Sequence, residues 1–134
     1  MNALEAALVA RLAAASGLTS LLASATSIYN QQAPTAAALA YIVFAYQAGG
    51  PTNLSPIRAE SLIYLVKGVT RTGAKAAGAI DDAIDAALHN APLTVTGYTN
   101  YWLMREGRMR MVDPDTDGQP IYHAGGFYRV RLGA

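Results

Sequence analysis

The sequence predicts an α+β fold: two main helices and an antiparallel or mixed β-sheet of about four to five strands, ending in a long C-terminal β-hairpin. Three observations predict it. Two Ala-rich segments, one near the N-terminus and one between Thr72 and Leu88, space their apolar residues along one helical face. Ala40 to Gln47 and Ser61 to Thr70 are crowded with β-branched and aromatic residues. The last third alternates arginine with apolar side chains on both sides of an Asp-rich turn. A length of 134 residues with 52% hydrophobic content predicts a single domain spanning 1–134 around one core.

Asn2 and, three residues on, Glu5 suit a helix start, the first as a side-chain acceptor and the second as a carboxylate at the positive helix end. A helix from about Ala3 to Ala15 follows, with Leu4, Leu8, Leu12 and Ala15 as its stripe and Gly17 as its stop. Leu18 to Ala25 allows one more short turn of helix before Ser27-Ile28-Tyr29 becomes extended, and Pro34 marks a connection. The near-continuous run Tyr41, Ile42, Val43, Phe44 and Tyr46 predicts a strand covered on both faces. Gly49-Gly50-Pro51 is expected to end it, and a polar loop of about a dozen residues through Asn53 and Pro56 should follow, long enough to be a contact element. In the second strand Leu62, Tyr64 and Val66 alternate against Ser61, Ile63, Leu65 and Lys67, so it is expected to be mostly buried.

Thr72 is the expected N-cap of the second helix, which carries Ala77, Ile80, Ile84, Ala87 and Leu88 on one face and Asp81, Asp82 and Asp85 on a solvated face, and Pro92 closes it. Beyond it, Arg108-Met109-Arg110-Met111 and Tyr128-Arg129-Val130-Arg131-Leu132 each put arginines on one side of a strand. Asp113-Pro114-Asp115-Thr116-Asp117-Gly118 between them has the chemistry of a hairpin turn. Gly107 and Gly125-Gly126 mark expected bulges. If the strands pair, Arg108, Arg110, Arg129 and Arg131 are expected on one sheet face.

Charge is unevenly spread along the chain. Ten basic and nine acidic residues nearly cancel, yet none falls between Arg11 and Arg58, a run of 46 residues from Leu12 to Ile57. At the chain's 14% charged content about six are expected there. A membrane span does not explain the run, because its longest apolar segment, Ala36 to Tyr46, falls well short of the ~20 residues a spanning helix needs. A covering protein partner does, since the centres of protein–protein patches are depleted in charge. The near-neutral balance carries no nucleic-acid footprint, and the lack of cysteine excludes disulfides and thiolate metal sites. Glu5 and Arg11 interrupt any signal-peptide core, so a mature, non-exported chain is expected.

Chemical motifs are incomplete. Asp113, Asp115, Asp117 and Gly118 open like a calcium loop, but its twelfth position is Ala124 and Pro120 interrupts it, so a hairpin turn is the better reading. Gly68 to Lys75 approaches a phosphate loop with its lysine displaced and no Ser or Thr after it, which favours a plain strand-to-helix connection. His89 and His123 lack a second histidine at ligand spacing and read as structural. Tyr98, Tyr101 and Trp102 could stack on bases, but no basic residue interleaves them, so core or interface packing is favoured. No catalytic residues, cofactor or metal are expected. An enzyme using His123 or the helix carboxylates would need them to converge on a concave pocket.

Taken in order, the elements resemble the tail-completion, or tail-terminator, proteins of long-tailed bacteriophages and prophages. The resemblance rests on the helix Asn2-Ala-Leu-Glu-Ala-Ala-Leu8, on Ser27-Ile-Tyr-Asn-Gln-Gln-Ala-Pro34, and on the strand Ala40-Tyr-Ile-Val-Phe44. It extends through the Ala77 to Leu88 helix to His123-Ala-Gly-Gly-Phe-Tyr-Arg-Val-Arg-Leu132. Ala40 departs from it, since such proteins often carry Pro there. The resemblance implies a sheet packed against two helices, assembled as a homo-oligomeric, hexameric ring at the head-proximal end of the tail tube in the virion. There it stops tube polymerisation and presents a surface to the head connector or stopper, with the major tail tube protein as its other partner.

Size is compatible with that picture. A domain of this length has a radius of gyration near ~14 Å, or a diameter of about 36 Å as a sphere, and six such spheres in a ring leave an opening about as wide, through which DNA passes without sequence-specific binding. Subunit contacts are expected on Tyr41, Val43, Phe44, Tyr46, Gly49, Asn53 and Arg58, and a lumen or tube-facing surface on Arg108, Arg110, Arg129 and Arg131. Another neck component, a connector or stopper ring, is the alternative in the same class, and a monomeric binding module the alternative outside it.

Overall fold

The computed structural model describes residues 2–53, 58–114 and 118–133. Helix α1 (Asn2–Ala14) and the short α2 (Ser16–Thr19) precede strands β1 (Ile28–Asn30), β2 (Tyr41–Asn53) and β3 (Arg58–Thr70). Helix α3 (Ala74–Leu88) then leads to β4 (Thr94–Val95), β5 (Tyr98–Asp113) and β6 (Ile121–Gly133). The strands form one six-stranded sheet in the order β1-β2-β3-β6-β5-β4. β1 runs parallel to β2, and every other neighbouring pair is antiparallel. The α+β class and the long C-terminal hairpin agree with expectation. The sheet has six strands and the described residues contain three helices, because the short pieces α2, β1 and β4 carry too few residues to leave a periodic signal.

One face of the sheet carries the core. Leu4, Leu8 and Leu12 of α1 and Ala77, Ile80, Ile84 and Leu88 of α3 are buried on it. They meet Ile42, Phe44, Leu62, Tyr64, Val66, Leu103, Tyr128, Val130 and Leu132. The alternation in β3 is as expected: Leu62, Tyr64 and Val66 are buried, while Ser61, Ile63, Leu65 and Lys67 are half-buried on the other face. Arg11 ties the helices together across the chain, donating to the carbonyls of Ala87 (3.3 Å), Ala91 (3.0 Å) and Pro92 (2.9 Å) at the end of α3. Ala87 is in the last turn of α3, whose carbonyls lack helical partners, and Ala91 and Pro92 lie on the segment that leaves it.

Several sequence-based boundaries shift for physical reasons. Asn2 lies inside α1 rather than capping it, and Glu5 accepts hydrogen bonds from Asn30 Nδ2 and from the Tyr64 hydroxyl, each at 3.0 Å. Its carboxylate therefore anchors α1 to β1 and β3. Thr72 does not cap α3: its amide donates to Thr70 Oγ1 at 3.2 Å, and Gly73 is the N-cap without a side-chain bond. Gly49-Gly50-Pro51 does not end β2, which continues to Asn53 and pairs with β3 as far as Asn53–Arg58. A bulge between Tyr46 and Ala48 absorbs one residue, so the segment expected as a dozen-residue loop is mostly hairpin strand. The middle of that loop, including Pro56, lies outside the described residues, as do Asp115 to Asp117 of the Asp-rich turn. Asp113 still pairs with Ile121 across β5 and β6, as a hairpin requires. Gly68 sits within β3 and α3 starts at Ala74, so that stretch is a strand-to-helix connection.

Candidate functional site

The register of β5 against β6 decides what the arginines can do. Residues directly opposite one another in a ladder share a sheet face. Arg108 faces Gly126 and Arg110 faces Ala124, on the helix side, whereas Arg129 faces Met104 and Arg131 faces Trp102, on the side no helix covers. The four therefore do not share a face. The reason is the bulge between Arg105 and Gly107, which inserts Glu106 and flips every later side chain of β5. A bulge at Gly107 is legible from the sequence, but its effect on the four arginines needs the register.

On the helix side Arg105, the last residue before the bulge, lies under α3 opposite Tyr128. Arg105 Nη2 lies 2.5 Å from Asp81 Oδ1, Nη1 lies 3.3 Å from Oδ2, and Nη2 donates to the Tyr128 hydroxyl at 2.6 Å. Asp85 Oδ1 stands 3.2 Å from Arg105 Nε and accepts the Tyr128 hydroxyl at 3.1 Å. The Arg105 and Asp81 side chains are 7% and 2% exposed, so this is a buried, bidentate ion pair. Burial opposes the guanidinium charge, but Asp81 and Tyr128 outweigh it and hold Arg105 above its ordinary pKa. Burial likewise raises the Tyr128 hydroxyl, with Arg105 opposing and Asp85 reinforcing the shift. Asp81 is thus part of the core and not of a solvated helix face. A helical wheel cannot foresee that, because the partner arrives from 24 residues away. The site accommodates the guanidinium only because Gly126 has no side chain: a Cβ there would stand 2.6 Å from Arg105 Nε and 2.9 Å from the Gly107 carbonyl oxygen.

The uncovered face carries Val43, Ala45, Ile63, Leu65, Phe127, Met104 and Met109, all buried or half-buried, among the cations Lys67, Arg129 and Arg131. Arg129 Nε donates to Glu106 Oε1 at 2.6 Å and its Nη1 to Ser61 at 2.8 Å. Arg131 lies over the Trp102 ring at 5.3 Å. Of the three aromatics expected in core or interface packing, Tyr98 is half-buried against the core, whereas Trp102 (38% exposed) and Tyr101 (56%) lie at the surface. His123 is on this face too, with Nε2 2.9 Å from Asp113 Oδ2. Burial and then Lys67 push its pKa below the ordinary histidine range, against the pull of Asp113. His89 caps α3, and its Nδ1 accepts the Arg105 amide at 3.1 Å.

The residues expected at subunit contacts divide. Tyr41 is half-buried against Tyr29, with ring centroids 5.6 Å apart, and Val43 is on the uncovered face. Phe44 is 1% exposed beneath the helices, so it belongs to the core and is closed to a partner. Tyr46 is 45% exposed, and its hydroxyl donates to the Gly49 carbonyl at 2.6 Å. Gly49 has φ +114°, a conformation other residues rarely adopt. Asn53 and Arg58 face each other at the end of β2 and β3, and Arg58 is exposed. Tyr46 and Gly49 also line a cavity of about 500 Å³ with Glu5, Glu60, Leu62 and Tyr64. Glu60 Oε2 is buried there with no hydrogen-bond partner among the described residues. Burial, then Glu5, raises the Tyr64 hydroxyl pKa.

Among the described residues no group of three or more His, Asp or Glu is placed to hold a metal, and no helix is long and apolar enough to cross a membrane. A family model described as tail completion protein gp17 matches residues 6–128. A chain from a solved structure titled as the virion of a native gene transfer agent particle matches with a TM-score of 0.81 and 19% identity, over 99% of this chain and 96% of that one. At that identity the likeness speaks for the fold. No curated protein matches the chain.

Proposed function

Since this chain belongs to the tail completion protein gp17 family and is thereby a structural protein of the bacteriophage virion tail, we propose that it closes the head-proximal end of the tail tube as a homo-oligomeric ring. Six copies suit the ring, which stops tube polymerisation and offers its far surface to the head connector. The observation that carries this reading is the uncharged run from Leu12 to Ile57, in which most of the residues from Ser20 to Leu39 are exposed in the single copy. A protein partner covers such a surface at low desolvation cost, because no ion has to leave water.

Cyclic closure joins two unlike patches of each subunit. The uncharged flank around β1 and β2, with Tyr41, Tyr46, Gly49, Asn53 and Arg58 near it, supplies one. The helix-free face with Ile63, Leu65 and Phe127 supplies the other. The tube-facing role suits Arg108 and Arg110, which share the helix side of the sheet, whereas Arg129 and Arg131 lie on the helix-free face and go with the subunit contact. The test is imaging of tails made without this chain. Tubes that overgrow, and that stop growing and gain density at one tip when the purified chain is added, are expected. Tubes of normal length with the chain bound instead on the head connector would refute the terminator reading in favour of another neck component. Light scattering of the purified chain, alone and on tubes, reads the ring separately.

A further inference from the structure

From the hydrogen-bond direction along the ladder we infer that the outer edge of β5, Arg108 to Val112, receives an extended, acidic segment of a different virion protein. The Ile42 amide donates to Ser27 and the Phe44 carbonyl accepts from Gln31, so these two residues bond towards β1 and Val43 bonds towards β3. Antiparallel ladders alternate. Following the registers Val43–Lys67, Val66–Gly126 and Gly125–Met109 across the sheet, Met109 and Met111 bond to β6. The amides and carbonyls of Arg108, Arg110 and Val112 therefore point outward. β4 covers β5 only at Tyr98 and Thr99, and no backbone partner meets these three among the described residues.

Unpaired strand edges are usually blunted. The opposite edge of the sheet shows how. Beyond its bulge β2 turns Gly49 and Pro51 outward, where Pro51 has no N–H and the Gly49 carbonyl is taken by Tyr46. The β5 edge has neither a proline nor a bulge over Arg108 to Val112, and it exposes Met111 (41%) and Val112 (56%). Its charges select the occupant. Arg108, with its side chain 68% exposed, is 3.9 Å from Asp81, and Arg110 lies exposed over Gly78 of α3. Both project to the same face, two residues apart, so a strand with carboxylates at alternate positions matches them. A second copy cannot supply that strand through an open edge: β1, β2 and β4 contain no acidic residue, and two β5 edges paired over Arg108 to Val112 would set these arginines against each other. The occupant is therefore another protein. Exposed apolar side chains and free amides favour a peptide strand over nucleic-acid phosphate.

The inference rests on the chain's place in the tail and not on ring closure, and the experiment keeps the two apart. Amide hydrogen exchange is read residue by residue in the purified chain, in the purified chain with a short duplex DNA, and in whole tails. Arg108, Arg110 and Val112 are expected to exchange fast in the first two and about tenfold or more slowly in tails, with Met109 and Met111 protected throughout. Val112→Pro and the double variant Arg108→Glu with Arg110→Glu should keep that internal protection and the oligomer mass of the purified chain, yet be lost from tails. Equal exchange in all three samples, protection by self-association or by DNA, or variants retained on tails like the parent would each overturn the assignment. A purified chain that stays monomeric while the edge amides are still slowed in tails would count against the ring alone.

Discussion

Replacing Asp81 with alanine should be among the most damaging single changes available to this domain. The substitution strips the bidentate partner from Arg105, whose side chain is 7% exposed, and leaves a guanidinium inside the protein. Removing one member of a buried pair costs about 3–5 kcal/mol, mostly because the remaining charge is stranded. Asp85 stays 3.2 Å from Arg105 Nε and Tyr128 still accepts, so the lower end, about 3 kcal/mol, is expected. Against a typical domain stability of about 5–15 kcal/mol that is a large fraction. With a urea m-value near ~2 kcal/mol/M the unfolding midpoint should fall by about 1.5 M at unchanged m. Asp82→Ala, one residue along and exposed, is the control and should cost less than about 0.5 kcal/mol. Asp81→Leu combined with Arg105→Met should recover part of the loss, since no charge is then stranded. A midpoint shift for Asp81→Ala no larger than that of Asp82→Ala would refute the reasoning.

Gly126→Ala drives a methyl into Arg105 Nε and the Gly107 carbonyl and should cost about 1–3 kcal/mol in the same urea assay. Asn100 is 7% exposed, accepts the Leu93 amide at 2.6 Å and donates to the Trp102 and Arg131 carbonyls, so Asn100→Ala should lower stability by about 2 kcal/mol, read as a fall in melting temperature. Arg11→Met leaves the Ala87, Ala91 and Pro92 carbonyls without their donor and should speed amide exchange in the 87–93 segment while costing about 1–2 kcal/mol. His123 has a folded-state pKa below its unfolded value, so the unfolded chain binds the proton first and stability falls as pH drops below about 6.5. The slope from one proton is at most about 1.4 kcal/mol per pH unit, and His123→Gln should remove it from a series of urea melts.

What the sequence disclosed tracks the range over which its signals act. Periodicity is local, so the stripes Leu4-Leu8-Leu12 and Ile80-Ile84-Leu88, the alternation in β3 and the pairing of β5 with β6 as a hairpin could all be read. Side-chain fates that depend on a distant partner could not. Asp81 looks solvated until Arg105 arrives, and Glu5 looks like a helix-end carboxylate until Tyr64 and Asn30 claim it. Phe44 and Val43 are adjacent in an almost uniformly apolar run, and only pairing with β3 reveals that the first enters the core while the second faces away from the helices. The candidate surfaces suffer most from this limit. A single extra residue at Glu106 separates Arg108 and Arg110 from Arg129 and Arg131, and a sequence marks where a bulge sits more readily than what it turns over.

The same register gives the charge distribution a direction. Among the described residues, all ionised side chains after Arg11 lie on β3, α3 and the β5–β6 half of the sheet or on the connections that join them, while α2, β1 and β2 carry none. The two ends of the sheet are therefore unlike: β2 presents an uncharged edge closed to strand pairing by Pro51 and Tyr46, and β5 an arginine-bearing edge that is open. A two-fold dimer formed through a sheet edge would have to set one of these surfaces against itself. The β5 edge would then bring Arg108 and Arg110 against the same arginines, which like-charge pairing across strands penalises. The β2 edge would meet an edge short of free amides, so strand pairing could add little. Unlike ends favour head-to-tail contacts, and contacts of that kind either close into a ring or run on as a filament.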